Sequence, residues 1–474
     1  MRKNINIFAR LDWLTIGIYL FLLAVGWISV YGALYSEDSH AIFDLTQFYG
    51  KHLLWIVSAF VLAFVVLSID SKFYSVLANP IYIGVMVLLV LVLVFGVEVN
   101  NARAWFEIGP MRLQPSELAK VATCLALARL MSVYGFSIKR TRNLAKIAFI
   151  ILLPAGLILL EPDPGSALVF LSFLLMLYRE GLSGWFVSSV IFVAVLFILA
   201  IIWTQASVLL FLLILCLLVF VFLNQHYTFS FLSALFAFGA YYAVRFLFPK
   251  IGIMSFDDEI LLLAISGIFI VIAGIYAIRK KAHNVWIIII FFIGSTALSY
   301  SVDIVFEKAL KPHHRDRIEV LLGLKDDVKN TGYNVNQSKI AIGSGGLTGK
   351  GFLQGTQNKY DFLPKQSKHT DFIFCTIGEE WGFLGAFAVL AAYLTLLIRL
   401  VFISERQRDT FGRVYGYCVV SVLFTHILIN IAMTVGLAPV IGIPLPFISY
   451  GGTSLWAFTI MLFILLKIDS ARWS

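Results

Sequence analysis

The sequence predicts an all-α polytopic integral membrane protein, a helical bundle that carries one large extracytoplasmic loop. Hydrophobic residues make up 60% of the 474 residues and charged residues only 13%, whereas soluble domains are about 45–50% apolar and about 25% charged. The mean hydropathy is +0.91. The apolar runs are long and unbroken, which argues against an outer-membrane barrel, whose strands are short and alternate in hydrophobicity.

A helix needs about 20 apolar residues to cross the bilayer core, and about fourteen runs approach that length. They lie near 13–34, 53–70, 78–97, 116–136, 146–161, 166–178, 183–203, 206–223, 229–248, 259–278, 285–304, 372–402, 414–438 and 453–468. The short run at 166–178 and the narrow gap at Gln205 leave the count open by about two spans. The first run follows Arg2, Lys3 and Arg10, which predicts a retained anchor with a cytoplasmic N-terminus.

Basic clusters predict the orientation. With this span count, Lys139–Arg142, Arg279–Lys281, the arginines at 406, 408 and 413, and the C-terminal pair Lys467 and Arg472 all fall on the side of the N-terminus. The positive-inside rule makes that side cytoplasmic and places the polar stretch 306–370 outside the cell. This stretch carries eleven Lys/Arg against six Asp/Glu, counted from Glu307 to Lys368. A basic outer loop suits an anionic ligand such as a phosphate, although simple solubility is the alternative.

Two compositional features limit the partners. The net charge of +9 is better explained by basic residues that set the membrane orientation and contact anionic lipids than by binding of a nucleic acid. All four cysteines, Cys124, Cys216, Cys375 and Cys418, lie inside apolar runs. The sequence therefore predicts buried thiols and neither a disulfide framework nor a metal cluster.

The polar stretch contains the strongest candidates for chemistry. Asp326 and Asp327 follow the basic segment His313–Arg317. Either carboxylate could act as a general base on a sugar hydroxyl while the cations hold a diphosphate, or both could form solvated ion pairs. Further on, Gly343–Gly346 and Gly349–Gly351 surround Lys350, which suits either a backbone that approaches a phosphate closely or a flexible connector.

Three other outward segments carry polar groups. In 100–122, Pro115 precedes a helix that Ser116 can cap, and Glu117 and Lys120 share one face, as a functional pair or as an interfacial anchor. In 161–166, Asp163 can cap the following helix. In 439–452, prolines and glycines indicate broken helices, which occur where they line a cavity or are buried in protein. All the outward segments could therefore converge on one site.

Four polar residues lie within predicted spans. Glu379 and Glu380 follow the loop, and His426 and Asn430 lie four residues apart on another span. Each could be a proton relay or a substrate contact, but hydrogen bonding between helices is the commoner fate of such groups.

Several motifs, taken together and in order, resemble those of the SEDS family (shape, elongation, division and sporulation). They read NARAWFEIGPMRLQPSELAK, EPDPGSA, GYNVNQSKIAIGSGGLTGKGFLQGTQ, HTDFIF with GEEWGFLG, and GIPLPFISYGGTS. GSGGLTGKG followed by GTQ is similar to the RodA branch rather than the FtsW branch. The resemblance covers most of the chain outside 204–284.

The resemblance implies a peptidoglycan glycosyltransferase that polymerises lipid II on the outer face of the bacterial cytoplasmic membrane during cell elongation and shape maintenance. It implies Asp327 as the general base, since the family's essential aspartate lies a few residues before Gly332-Tyr333. It also implies a class B penicillin-binding protein (a transpeptidase) and elongation-complex membrane proteins as partners. A divalent cation, Mg or Mn, could assist the leaving undecaprenyl diphosphate, and no organic cofactor is expected. Candidate substrate-binding residues are Arg103, Glu117, Lys120, Asp163, Arg315, Arg317, Gln337, Ser338, Lys350, His369 and Asp371.

The sequence departs from the family at three places. Val328 stands where proline is usual, LPKQSKHTDF carries two extra residues with Lys365 in place of glutamate, and 204–284 adds about four spans to the family's ten. The predicted domains are therefore a membrane core at 1–203, inserted hairpins at 204–284, a span at 285–304, a catalytic loop at 305–370 and a second core at 371–474. A lipid II flippase or transporter, and a noncatalytic scaffold for the penicillin-binding protein, are the alternative functions.

Overall fold

The computed structural model describes residues 10–35, 44–99, 102–109, 111–224, 258–304, 331–359 and 367–472, with isolated positions at 239, 306, 315, 318–319, 322 and 362. Its helices are α1 (Trp13–Leu34), α2 (Phe48–Ser68), α3 (Ser71–Phe95), α4 (Pro115–Met131), α5 (Thr141–Leu160), α6 (Pro164–Val169), α7 (Phe173–Arg179), α8 (Gly184–Ile202), α9 (Gln205–Asn224), α10 (Asp258–Lys280), α11 (His283–Ile304), α12 (Thr331–Ser344), α13 (Thr356–Lys359), α14 (Ile373–Glu405), α15 (Thr410–Thr434) and α16 (Gly452–Ala471). The all-α polytopic fold predicted from the sequence is confirmed.

In the described ranges, ten helices are long and apolar enough to cross a membrane, and two shorter apolar helices cover Pro164–Arg179 and Gln205–Val221. The helix α4 is not among the ten, although 116–136 is one of the predicted spans. The run at 229–248 lies outside the described residues except for position 239. The count of about fourteen spans therefore stays a prediction.

The chain divides into two compact units. Unit 1 comprises residues 1–183 and 326–474, and unit 2 comprises 184–325. The sequence-based domain boundaries, including the inserted hairpins at 204–284, stay a prediction. In unit 2, α8 to α11 pack around an apolar cluster that includes Leu212, Cys216 and Ile288.

The helix α16 lies at the centre of unit 1, since 83% of its apolar window is buried. It packs against α2, α4 and α15, while α14 packs against α1, α12 and α15. The helix α14 runs through a kink at Gly382, whose φ of 64° and ψ of −160° are non-helical. Glycine adopts such a positive φ without the steric cost that a Cβ would bring.

The two ends of unit 1 differ in their charges. At one end, called the basic end, Arg129 donates to the Ser75 hydroxyl (3.2 Å), and Lys467 donates to the Leu67 carbonyl (2.6 Å). At the same end, Arg399 forms an ion pair with Asp12 (2.6 Å), and Arg413 forms one with Glu180 (3.0 Å). At the opposite end, called the loop end, α4 begins at Pro115 and α14 begins at Ile373. Of the basic residues predicted to share one side, Arg406, Arg413 and Lys467 lie at the basic end of unit 1, whereas Arg279–Lys281 belong to unit 2. The predicted membrane orientation stays a prediction.

A three-stranded antiparallel sheet, which the sequence did not lead us to expect, lies at the loop end between α3 and α4. Its strands are β1 (Val97–Val99), β2 (Ala102–Ile108) and β3 (Met111–Leu113), in the order β1-β2-β3. Glu98 faces Arg103 and Glu107 faces Arg112 across the strands. Such opposite charges in register stabilise the hairpins modestly.

The sheet leads directly into α4, and the predicted cap is wrong. Gln114 occupies the N-cap position, Pro115 is at the start of the helix, and Ser116 lies one residue inside it. Proline suits this position because the first helical N–H has no partner to lose. The Ser116 hydroxyl is buried without a hydrogen-bond partner among the described residues.

Candidate functional site at the loop end of unit 1

Segments far apart in sequence meet at the loop end. The amide of Gln114 donates to Thr453 Oγ1 (3.3 Å), and the Thr453 hydroxyl donates to the Arg112 carbonyl (3.1 Å). The amide of Tyr450 donates to the His369 carbonyl (2.9 Å). The predicted convergence of the outward segments is thus observed for their described parts.

A buried ionic cluster lies just inside this end. Lys120 Nζ donates to Glu117 Oε1 at 2.7 Å and lies 2.9 Å from His426 Nε2. Both Lys120 and Glu117 are almost fully buried, at 0% and 2% exposure. Since an ammonium group can only donate, His426 Nε2 accepts, and the ring proton is on Nδ1, which donates to the Pro444 carbonyl (3.2 Å).

This cluster is incompletely satisfied. Glu117 Oε2 is buried and has no hydrogen-bond partner in the described part of the chain. A buried carboxylate oxygen without a donor is costly, so such an atom calls for a water molecule or a ligand group. The Lys120 ammonium also lies 5.6 Å from the centre of the Phe458 ring. The pair predicted from its i, i+3 spacing is therefore formed, but it is buried rather than interfacial.

Asp163, in the turn between α5 and α6, links this turn to the residue that follows the sheet. Asp163 caps α6, as predicted, by accepting from the Ser166 amide (3.0 Å) and hydroxyl (2.6 Å). Gln114 Nε2 donates to the same carboxylate at 3.2 Å. Neighbouring Glu161 is fully buried with neither carboxyl oxygen bonded to a described residue. Burial, with a smaller contribution from Asp163, raises the pKa of Glu161 to about 8.

The glycine-rich loop 345–355 docks on the kinked helix α14. The amides of Lys350 and Gly351 donate to the carbonyls of Glu379 and Glu380 (3.0 Å each). A Cβ on Gly345 would come within 1.9 Å of the Gly378 carbonyl, so only glycine permits this approach. The close backbone approach predicted for these glycines is therefore made to the protein's own helix.

Glu379 fastens this loop. Its fully buried carboxylate accepts from Lys350 Nζ (2.8 Å), from the Thr356 amide (2.7 Å) and from the Gln357 amide (3.0 Å). The last two donors belong to the first turn of α13, so Glu379 also serves as a carboxylate at a helix N-terminus. Glu379 was predicted either to act as a proton relay or substrate contact or to form hydrogen bonds within the protein, and hydrogen bonding within the protein is the one observed.

Other candidate substrate-binding residues are dispersed around the loop end. Arg103 is exposed on β2 and lies 3.6 Å from Glu98. Ser338 is buried in α12, where its hydroxyl donates to the Thr434 carbonyl at 2.5 Å, and Gln337 beside it is half-buried. His369 stacks on Phe48 with ring centres 4.8 Å apart. The Asp371 carbonyl accepts from Asn430 Nδ2 at 3.0 Å, and the substrate-binding roles of all these residues stay predictions.

Three residues of the predicted loop cannot be placed. Asp326, Asp327 and Arg317 lie outside the described residues. Arg315 belongs to unit 2, where its Nε donates to Glu319 Oε1 at 2.6 Å and its guanidinium lies over Phe306. The catalytic role of Asp327 therefore stays a prediction.

Sequence reasoning missed Gln114, Glu161 and Thr453. Gln114 and Thr453 are 339 residues apart, and no short-range pattern connects them. Glu161 could have been recognised, since a carboxylate directly after an apolar run is costly to bury and its burial therefore points to a special environment.

Within the ranges the structure describes, no three His, Cys, Asp or Glu side chains are placed to hold a metal ion. The oxygens of Asp163 already accept from Ser166 and Gln114. Mg is usually held by one or two carboxylates together with substrate phosphates, so the divalent cation stays a prediction.

Comparisons with known proteins agree with this architecture. The model of the FtsW, RodA and SpoVE family, described as cell cycle protein, matches residues 12–240 and 256–473. The peptidoglycan glycosyltransferase RodA of Treponema pallidum (strain Nichols) is 31% identical over 97% of this chain and 98% of its own length. The peptidoglycan glycosyltransferase MrdB of Escherichia coli (strain K12) is 30% identical, over 96% and 92% respectively.

Solved structures share the fold. A chain from a peptidoglycan synthase complex that coordinates polymerization and crosslinking gives a TM-score of 0.58 at 26% identity, over 98% of this chain and 99% of that chain. The crystal structure of Thermus thermophilus RodA gives 0.55 at 22% identity, over 98% of both chains. With a family model that matches both halves of the sequence and relatives aligned over nearly their whole length, the chain belongs to the FtsW/RodA/SpoVE family, the SEDS family that its motifs resemble.

Proposed function

We propose that this chain is a peptidoglycan glycosyltransferase that joins lipid II units into glycan strands during cell elongation and maintenance of cell shape. RodA of T. pallidum and MrdB of E. coli, at 31% and 30% identity, are both peptidoglycan glycosyltransferases. The observation that carries the proposal is the buried Glu117–Lys120–His426 cluster at the loop end. A charged group enclosed at the mouth of a membrane bundle is costly, which favours a functional role there.

In the proposed reaction, Asp327, Lys120 and Arg103 each have a role. The Asp327 carboxylate accepts the proton of the acceptor's GlcNAc 4-hydroxyl, and that oxygen forms a bond to C1 of the donor MurNAc. The bond from C1 to the diphosphate oxygen breaks, and undecaprenyl diphosphate leaves with the electron pair. Lys120, buried and positively charged, and Arg103, exposed on β2, are the described cations proposed to stabilise the charge that develops on the diphosphate. A divalent metal would add positive charge at the same place.

The proposed setting is the bacterial cytoplasmic (inner) membrane. The basic end of unit 1 faces the cytoplasm with both termini, and the loop end faces outward. The concentration of arginine and lysine at one end supports this orientation. The proposed partners are a class B penicillin-binding protein and other elongation-complex membrane proteins, and similarity to a chain of a peptidoglycan synthase complex supports the first of them.

The function is tested with the full chain, purified together with its penicillin-binding protein, in vesicles that contain labelled lipid II. Gel analysis is expected to reveal glycan strands. Scrambling of lipid II between leaflets without polymer would instead support a flippase. Impermeant thiol labelling of cysteines introduced within 306–370 checks the orientation, and a cytosolic location of that loop would overturn the mechanism.

Glu379→Ala is expected to lower polymerisation by about 100-fold, because it releases the glycine-rich loop and the start of α13 from α14. Misplacement of active-site elements by about 1 Å can cost a factor of this size. Glu379→Gln keeps one accepting oxygen but loses the charge, so its loss is expected to be about tenfold. Glycan yield on gels, with limited proteolysis of 345–357, measures both effects.

The matched control is Glu180→Ala, which removes a carboxylate that accepts from Arg413 at the basic end. It is expected to leave polymerisation within about twofold of the parent, since exposed or partly exposed ion pairs contribute about 1 kcal/mol or less. Full activity and unchanged protease resistance in Glu379→Ala would show that the loop does not depend on this carboxylate.

A further inference from the structure

A cavity of about 690 Å³ lies at the basic end of unit 1, away from the site at the loop end. It opens between α3, α4 and α5, and three cations line it: Arg129, Arg142 and Lys146. Arg129 lies in the last turn of α4, and Arg142 and Lys146 lie in the first two turns of α5. The cavity therefore lies within the outer turns of the helices, where a membrane protein meets the headgroup layer.

The three cations line one cavity without a carboxylate among its lining residues. The ion pairs found in the described ranges include none of the three cations, and Arg129 donates only to the Ser75 hydroxyl at 3.2 Å. Like charges around one cavity repel each other, and a bound anion relieves that repulsion.

Apart from Asn79 and the three cations, the residues that line the cavity are apolar. Phe149 and Val133 are 62% and 54% exposed, and Leu130 and Ile150 lie beside them. The Tyr82 hydroxyl donates to the Ile150 carbonyl at 3.0 Å, which holds α3 against α5 at this position. The cavity thus combines three exposed cations with exposed apolar side chains, which suits a phosphate joined to acyl chains.

We propose that this cavity binds the headgroup of an anionic glycerophospholipid of the leaflet at the basic end. The Arg142 and Arg129 guanidiniums can each hold a phosphodiester through two parallel N–H···O bonds, and Lys146 adds a point charge. The acyl chains lie along Phe149 and Val133. Basic pockets between membrane helices on the cytoplasmic side bind such headgroups, and the cavity's volume lies within the range of ligand sites, about 300–1,000 Å³.

Native mass spectrometry of the full chain in detergent, titrated with phosphatidylglycerol or phosphatidylcholine, tests the proposal. The parent is expected to prefer phosphatidylglycerol. The double variant R142Q/K146Q is expected to bind it about 25-fold more weakly, since each basic residue near the headgroups contributes about a factor of five. Arg142→Lys keeps the charge and is expected to lose less than the double variant.

The matched control is K139Q/R140Q, which removes the same charge from the residues just before α5, outside the cavity. Equal losses in both double variants, or equal binding of the two phospholipids, would overturn the proposal. Thermal unfolding of both variants without lipid checks that each is folded, and Arg129→Gln provides a second cavity variant on another helix. Displacement of the lipid by millimolar inorganic phosphate, or tighter binding of undecaprenyl phosphate at these residues, would also overturn the assignment to a glycerophospholipid.

Discussion

Asp327→Ala is expected to lower lipid II polymerisation by about 10²–10⁴-fold, the contribution of a well-placed general base. Without the carboxylate, no group accepts the proton of the acceptor hydroxyl as the new glycosidic bond forms. The thermal stability should not change, because the following helix α12 is held independently by Ser338, which donates to the Thr434 carbonyl. The measurement is the rate of glycan formation from labelled lipid II, with the melting temperature as the folding check.

Asp326→Ala is the matched control, since it removes the same charge one residue earlier in the sequence. It is expected to retain activity within about threefold, as is usual for a charge that only contributes to the local field. Loss of activity in Asp326→Ala alone would transfer the role of the base to that residue. Near-parental activity in both single variants would refute general-base catalysis by this pair.

Hydrophobic length predicted most of the fold. The first run, 13–34, coincides with α1, and the run near 285–304 lies within α11. Boundaries shifted where polar residues continue a helix. The helix α2 starts at Phe48, five residues before its apolar run, and its first turns are packed through the buried residues Tyr49, Gly50 and His52. The sheet at 97–113 was missed because two of its strands are only three residues long and its segment is rich in charge.

The spacing of residues along the chain predicted only the contacts of the site that join residues close in sequence. Glu117 and Lys120 lie three residues apart, so their pairing could be anticipated. Their partner His426 is 306 residues away from Lys120, and no local pattern reports such a contact. Glu379 was recognised as a charge within a span, but its bonds to the 350–357 segment depend on the tertiary approach that the glycines allow.

Lys120→Met is expected to abolish detectable polymerisation and to lower the free energy of unfolding by about 3–5 kcal/mol. The second effect follows because Glu117 would remain buried without its counter-ion, which costs about that amount. The first follows if the ammonium stabilises the departing diphosphate, since loss of one such electrostatic contact lowers a rate by about 10²–10³-fold. Glycan gels and thermal unfolding in detergent measure the two effects separately.

The double variant E117Q/K120M separates the effect of Lys120 on activity from its effect on stability. It replaces both charges by neutral side chains of similar shape, so most of the lost stability should return. Activity should stay low, because the positive charge is still missing. Arg399→Met, which removes one of the two arginines paired with Asp12 at the basic end, controls for destabilisation away from the site and should keep its activity per folded molecule. Recovery of polymerisation in E117Q/K120M would show that Lys120 only neutralises Glu117, and the cluster would then hold α4 to α15 without acting on the diphosphate.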